Sequence, residues 1–136
     1  MNISEETITS LISAAQKARM NAYAPYSGFA VGAAVLADDG CIHSGCNVEN
    51  ASYGLTVCAE RNAVLKAVSH GAKSINAVAV VADSAEPAAP CGACLQVIAE
   101  FASHESPIIL ANMAGKKIIF PLCGLLPNPF VLKKEL

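Results

Sequence analysis

Two short stretches of the chain combine residue types that do chemistry. They are Cys58-Ala59-Glu60 and Pro90-Cys91-Gly92-Ala93-Cys94, and their leading cysteines stand 33 residues apart. Cys91 and Cys94 are three positions apart, so on a helical turn both thiols share one face, a spacing that lets both sulfurs reach one tetrahedral zinc. Cys58 offers a third thiolate from another helix start. The partial positive charge of a helix N-terminus lowers a thiol pKa and favours the metal-binding form. No fourth protein ligand is evident, and three ligands with one open position is the pattern of catalytic zinc, one ion per chain. Zinc brings the pKa of water held at such a position from about 15.7 toward roughly 7. Three thiolates blunt that acidity, and the two helix dipoles and Arg61 are candidates to offset it. Glu60, two residues after Cys58, is placed to move protons as a general acid and base.

Each motif alone has a plainer reading. A C-x-x-C pair in a cytosolic protein is often a redox pair or half of a structural zinc site. A C-x-E is nearly uninformative, because cysteine is a common small core residue. A redox site needs neither Cys58 nor Glu60, and a structural zinc site usually needs a fourth Cys or His nearby. His43, His70 and His104 are not spaced as such partners and read as ordinary residues, and Cys41, Cys46 and Cys123 read as strand or core cysteines.

The elements around the motifs can be read from periodicity and turn chemistry. Ser4 to about Ala22 predicts a helix, with Ser4 as cap, Glu5 and Glu6 in its first turn, and Ile8, Leu11, Ile12 and Ala15 on one face. Pro25 ends it. Phe29 to Ala37 predicts a strand buried on both faces, Asp38-Asp39-Gly40 a hairpin turn, and Cys41 to Cys46 the returning strand. Asn47 to Val57 has loop character. Cys58 to Ser69 predicts a helix stopped by His70-Gly71, Ile75 to Ala82 a strand, Asp83 to Pro90 a loop, and Cys91 to Ala102 a helix. Pro107 to Ala111 and Lys116 to Phe120 predict two further strands, and Leu125 to Phe130 no more than a short turn. Strands interleaved with helices predict an α/β fold, one sheet with helices on both faces.

The 136 residues fit one domain, taken as 1–136. Aromatic residues are 5% and Trp is absent, so the core must be built from Ala, Val, Ile and Leu. Only 15% of residues are charged, which predicts surface buried against further copies of the chain. A net charge of −2 and basic runs no longer than Lys116-Lys117 and Lys133-Lys134 argue against a nucleic-acid partner. Neither a signal peptide nor a membrane-spanning run is visible, so the expected location is the cytoplasm.

With these residues in view, the chain resembles the cytidine deaminases, in particular their short, single-domain, homotetrameric form. The similarity runs from about Tyr23 to Phe130. It rests on Tyr26-Ser-Gly-Phe-Ala-Val-Gly-Ala-Ala34, Gly45-Cys-Asn-Val-Glu-Asn-Ala51, Cys58-Ala-Glu-Arg61, Pro90-Cys-Gly-Ala-Cys94, Leu125-Leu-Pro and Phe130. The resemblance implies a mixed five-stranded sheet in a three-layer sandwich. It also implies zinc held by Cys58, Cys91 and Cys94, and hydrolytic deamination of free cytidine and deoxycytidine to uridine and deoxyuridine. It implies that Phe29 packs against the base, that Asn47 and Glu49 bond the ribose hydroxyls, and that Ala59 offers its N–H to the base. Tyr53 and Phe130 would complete the pocket, their own or a neighbouring subunit's. Leu95 departs from the pattern, since many members carry Arg there, and this leaves Arg61 more of the charge compensation. Rival readings are a deaminase of another aminopyrimidine nucleoside such as blasticidin S, a polynucleotide-editing deaminase, and a zinc-stabilised module without turnover.

Overall fold

Ser4 caps the first helix, accepting from the Thr7 N–H at 3.1 Å, and the carboxylates of Glu5 and Glu6 sit in the first turn of α1 (Glu5–Arg19). The computed structural model describes residues 3–132; the Lys133-Lys134 pair lies outside the described residues. After α1 come β1 (Val31–Ala37), β2 (Ile42–Cys46), a single 3-10 turn at Tyr53–Leu55, α2 (Ala59–Ser69), β3 (Ile75–Ala82), α3 (Gly92–Phe101), β4 (Pro107–Asn112), β5 (Lys117–Pro121) and α4 (Leu122–Leu125). The strands form one sheet in the order β2-β1-β3-β4-β5. Only β3 and β4 pair in parallel, joined by the α3 crossover; the other pairs are antiparallel. The mixed five-stranded sheet is as expected.

Residues of the central strands alternate between two cores, as period-2 geometry requires. Ala34, Ala77, Ala79, Val81, Ile109 and Ala111 face α1, through Ile8, Leu11 and Ala15. Ala33, Val35, Val78, Val80, Ile108 and Leu110 face α2 and α3, through Ala63, Val64, Ala67, Leu95 and Ile98. Helices therefore cover both faces. The core is aliphatic; Phe101 and Phe120 pack only at its margin.

Two glycines let helices approach the sheet without a side chain between. A Cβ on Gly32 would lie 1.9 Å from the Ala15 carbonyl oxygen of α1. A Cβ on Gly45 would lie 2.7 Å from the Ala63 nitrogen of α2. The Asn62 side chain adds a bond across the second contact, donating to the Cys46 carbonyl at 2.8 Å. The helix that begins with the first motif is thus held directly on the end of β2.

The elements differ from the expected ones in three places. α1 stops at Arg19 rather than near Ala22. β1 starts at Val31, leaving Phe29 outside it and 41% exposed, because the Asn47 side chain occupies the backbone there. Its amide donates to the Phe29 carbonyl at 2.8 Å and accepts from the Val31 N–H at 2.9 Å. The unforeseen α4 is held from outside its own sequence: the Leu122 N–H bonds the Ser106 carbonyl, the Cys123 N–H bonds the His104 carbonyl, and Leu122 is buried.

Candidate metal centre and substrate pocket

The register brings the start of β1 beside the ends of β2 and β3, since Gly32 pairs with Cys46 and Val31 with Ala82. Two helices start against this end of the sheet. Cys58 is the N-cap of α2 and Cys91 the N-cap of α3, both in extended backbone. The first intrahelical bonds come from the Asn62 N–H to the Cys58 carbonyl and from the Leu95 N–H to the Cys91 carbonyl. The N–H groups of Ala59, Glu60, Gly92 and Ala93 therefore stand free of intrahelical partners at the positive helix ends.

The sulfurs of Cys58, Cys91 and Cys94 converge, all within 4.8 Å of one another. Tetrahedral coordination with Zn–S bonds of about 2.3 Å sets ligand sulfurs roughly 3.8 Å apart; Cys58 and Cys91 lie at 3.9 Å. Three soft donors at that separation, two helix N-termini and an adjacent guanidinium fit zinc in both geometry and charge. Burial opposes ionisation of Cys91, but the first-turn N–H groups of Cys94 and Ala93 favour its thiolate, and the net shift is downward. At the fully buried Cys94, desolvation and the nearby Glu60 charge push the thiol up. Arg61 lies behind Cys58, its Nη2 at 3.5 Å from both the Cys58 sulfur and the Thr56 carbonyl. Its hydrogen bond to Cys58 holds the guanidinium firmly protonated. Its Nε is buried without a partner among the described residues. Such an orphan donor costs about 1–3 kcal/mol.

Next to the sulfurs opens a pocket of ≈ 250 Å³ lined by Phe29, Asn47, Glu49, Tyr53, Ala59 and Glu60, together with Cys58 and Cys91. Glu60 is 5% exposed, and desolvation raises its carboxyl above the ordinary value. Asn47 and Glu49 are both buried while Val48 between them is 46% exposed, the alternation expected of extended chain. Both polar groups of the Asn47 amide already bond the β1 entry, so one donor and one lone pair remain for the pocket. The Glu49 carboxylate accepts from the Ser27 hydroxyl and, at 2.9 and 3.1 Å, from the Tyr26 and Ser27 N–H groups. The Ser27 bonds hold its pKa below the usual carboxylate range.

Phe130 is the one expected pocket residue that does not line it. Its backbone is clipped to α3, where Gln96 donates to its carbonyl at 2.9 Å and accepts from its N–H at 3.1 Å, and its ring projects outward with the residue 73% exposed. Leu95 packs in the core between the sheet and α2. Ser27, Thr56, Ala88 and Ala89 also line the pocket, and the sequence reading assigned them no role. Ala88 and Ala89 immediately precede the Pro90-Cys91 motif and are small enough to leave it open. Ser27 lies two residues before Phe29, in a segment that reads as a plain turn.

Comparison with known proteins bears on this arrangement. Residues 5–110 match the family model described as the cytidine and deoxycytidylate deaminase zinc-binding region. A cytidine deaminase of Sporosarcina psychrophila is 52% identical over 123 residues, covering 90% of this chain and 90% of the relative. One of Halalkalibacterium halodurans is 50% identical, covering 88% and 91%. The crystal structure of a cytidine deaminase from Burkholderia pseudomallei superposes with a TM-score of 0.87 at 45% identity, covering 94% of this chain and all of that one. With the family's zinc-binding region spanning more than half of the sequence and three cysteines converging inside it, the chain belongs to the zinc-binding cytidine and deoxycytidylate deaminase family.

Proposed function

We propose that the chain is a hydrolytic deaminase of free cytidine and deoxycytidine: water adds at C4 of the pyrimidine, the exocyclic amine leaves as ammonia, and uridine or deoxyuridine is formed. The observation that carries the reading is the convergence of a three-sulfur centre, a buried glutamate, an aromatic ring and a hydrogen-bonded carboxylate on one pocket. Cys58, Cys91 and Cys94 would hold zinc, which when bound supplies a Lewis acid able to activate water at neutral pH. Glu60 takes a proton from the attacking water and returns one toward the base and its leaving amine. A carboxyl raised by burial suits that two-way task. The Ala59 N–H, free at the α2 start, bonds the base. Phe29 stacks on it, while Asn47 and Glu49 bond the sugar, and Arg61 offsets thiolate charge beside Cys58.

Tyr53 closes the mouth of its own pocket, and the outward ring of Phe130 serves the pocket of a neighbouring copy. A homotetramer fits this and the many exposed apolar side chains, among them Leu65, Val131 and Leu132. No helix among the described residues is long and apolar enough to cross a membrane. The reading places the chain in cytoplasmic pyrimidine salvage, and the net charge of −2 argues against a nucleic-acid partner. The test is a substrate panel on zinc-replete protein: cytidine, deoxycytidine, blasticidin S and a cytosine-containing oligonucleotide. Ammonia release from the two free nucleosides alone is the expected result. Release only from blasticidin S or the oligonucleotide would reject the assignment.

A further inference from the structure

The turn before β1 is bound to the Glu49 carboxylate by two backbone amides and one hydroxyl. Gly28, at φ 68°, bonds back through its N–H to the Ala24 carbonyl at 2.9 Å, which closes a tight turn around Ser27. The Ser27 hydroxyl donates its proton to Oε2 of Glu49 and accepts from the Phe29 N–H at 3.0 Å. The Ser27 and Tyr26 N–H groups both go to Oε1 of the same carboxylate. An ionised carboxylate offers about four acceptor positions. Oε1 is filled by two amides, and Oε2 takes the Ser27 hydroxyl, so one acceptor direction on Oε2 is left for a ligand.

We propose that Ser27 is a positioning residue for nucleoside recognition: its hydroxyl fixes the Glu49 oxygen that accepts a sugar hydroxyl and the backbone that carries the Phe29 ring. The inference rests on the proposed sugar contact of Glu49. Without the hydroxyl, Oε2 loses its only donor among the described residues, and the carboxylate is held through Oε1 alone. The remaining acceptor is then no longer aimed in advance, and preorganisation is lost. Binding to the base is shared by every cytosine nucleoside, so damage to Phe29 alone lowers activity on all of them alike. Damage to the sugar contact appears only with substrates that carry the sugar hydroxyls.

This difference defines the test. The ratio of kcat/KM for cytidine to that for 2′,3′-dideoxycytidine is measured for the wild type, Ser27→Ala, Ser27→Thr and Glu49→Ala, with zinc content and melting temperature recorded for each. In Ser27→Ala the ratio falls roughly ten-fold or more, mostly through KM for cytidine, as expected for loss of a hydrogen bond to a charged group. Ser27→Thr, which keeps the hydroxyl, restores most of it. If Ser27→Ala does not fold, Ser27→Cys carries the same comparison, since a thiol of similar size donates only weakly. An unchanged ratio in the Ser27 variants with a collapsed ratio in Glu49→Ala overturns the role of Ser27 and leaves the sugar contact standing. An unchanged ratio in Glu49→Ala as well removes the sugar contact itself, and with it the inference.

Discussion

Gly45→Ala changes one hydrogen to a methyl at a residue that touches no substrate, yet it should cost activity. On β2, Gly45 pairs with Ala33 and faces the second turn of α2. The added Cβ would lie 2.7 Å from the Ala63 nitrogen and 3.0 Å from both the Asn62 carbonyl carbon and Cβ. Ordinary contact starts near 3.4 Å, so the deficit is about 0.7 Å against backbone, which cannot swing aside. The helix must retreat or tilt, and Cys58, Ala59 and Glu60 at its start move with it. Overpacking of this kind costs about 1–3 kcal/mol of stability. Displacement of reacting groups by about 1 Å can cost roughly a hundred-fold in rate. The assay is kcat and KM for cytidine beside thermal melting and zinc content, at a temperature where the variant is fully folded. The expected outcome is a loss of kcat far larger than the unfolded fraction explains. A variant that melts lower but turns over at the wild-type rate would refute the argument that the β2–α2 contact sets the position of the site.

Two further outcomes follow from the same geometry. Arg61→Ala removes the one guanidinium beside Cys58, and groups that support metal ligands in this way are typically worth about 10–100-fold in metal affinity or activity; chelator competition measures it, and affinity within two-fold of wild type would reject the role. Glu49 has a native pKa below its ordinary 4.5, so its bonds to Tyr26 and Ser27 add stability above that pH, and the addition is lost as pH falls through the lowered native value. Melting of the wild type minus that of Glu49→Gln should therefore shrink on acidification below about pH 4.5, and a difference that is constant or grows there would contradict the assigned bonds.

The residues proposed to hold zinc and move protons were legible because their chemistry lies in residue type and spacing. Cys58, Glu60, Cys91 and Cys94 need only two helix starts to meet, and the capping geometry of both cysteines follows from the breaks before them. The place of Asn47 and Glu49 came from the family resemblance, since the residues alone have loop character; the structure buries both with Val48 exposed between them. What escaped was decided by contacts between distant segments. Phe29 falls outside β1 because a side chain 18 positions away takes its carbonyl. α4 forms because Ser106 and His104 supply acceptors to its first turn. Ser27 sits in a turn-forming run, Tyr-Ser-Gly, where a serine needs no further explanation. Only the fold brings Glu49 to it across 22 positions. Leu95 had raised a question of charge; its burial in the core answers as packing, and it leaves Arg61 as the cation beside Cys58.

The most direct test of the account is the ultraviolet change of cytidine with wild-type protein and with Glu60→Ala, each of measured zinc content. Zinc bound equally by both, conversion to uridine by the wild type, and a rate lower by at least about a hundred-fold in the variant is the predicted result, since general acid–base catalysis contributes on that order or more. Glu60→Ala that keeps its zinc and deaminates cytidine within a few-fold of the wild type would contradict it.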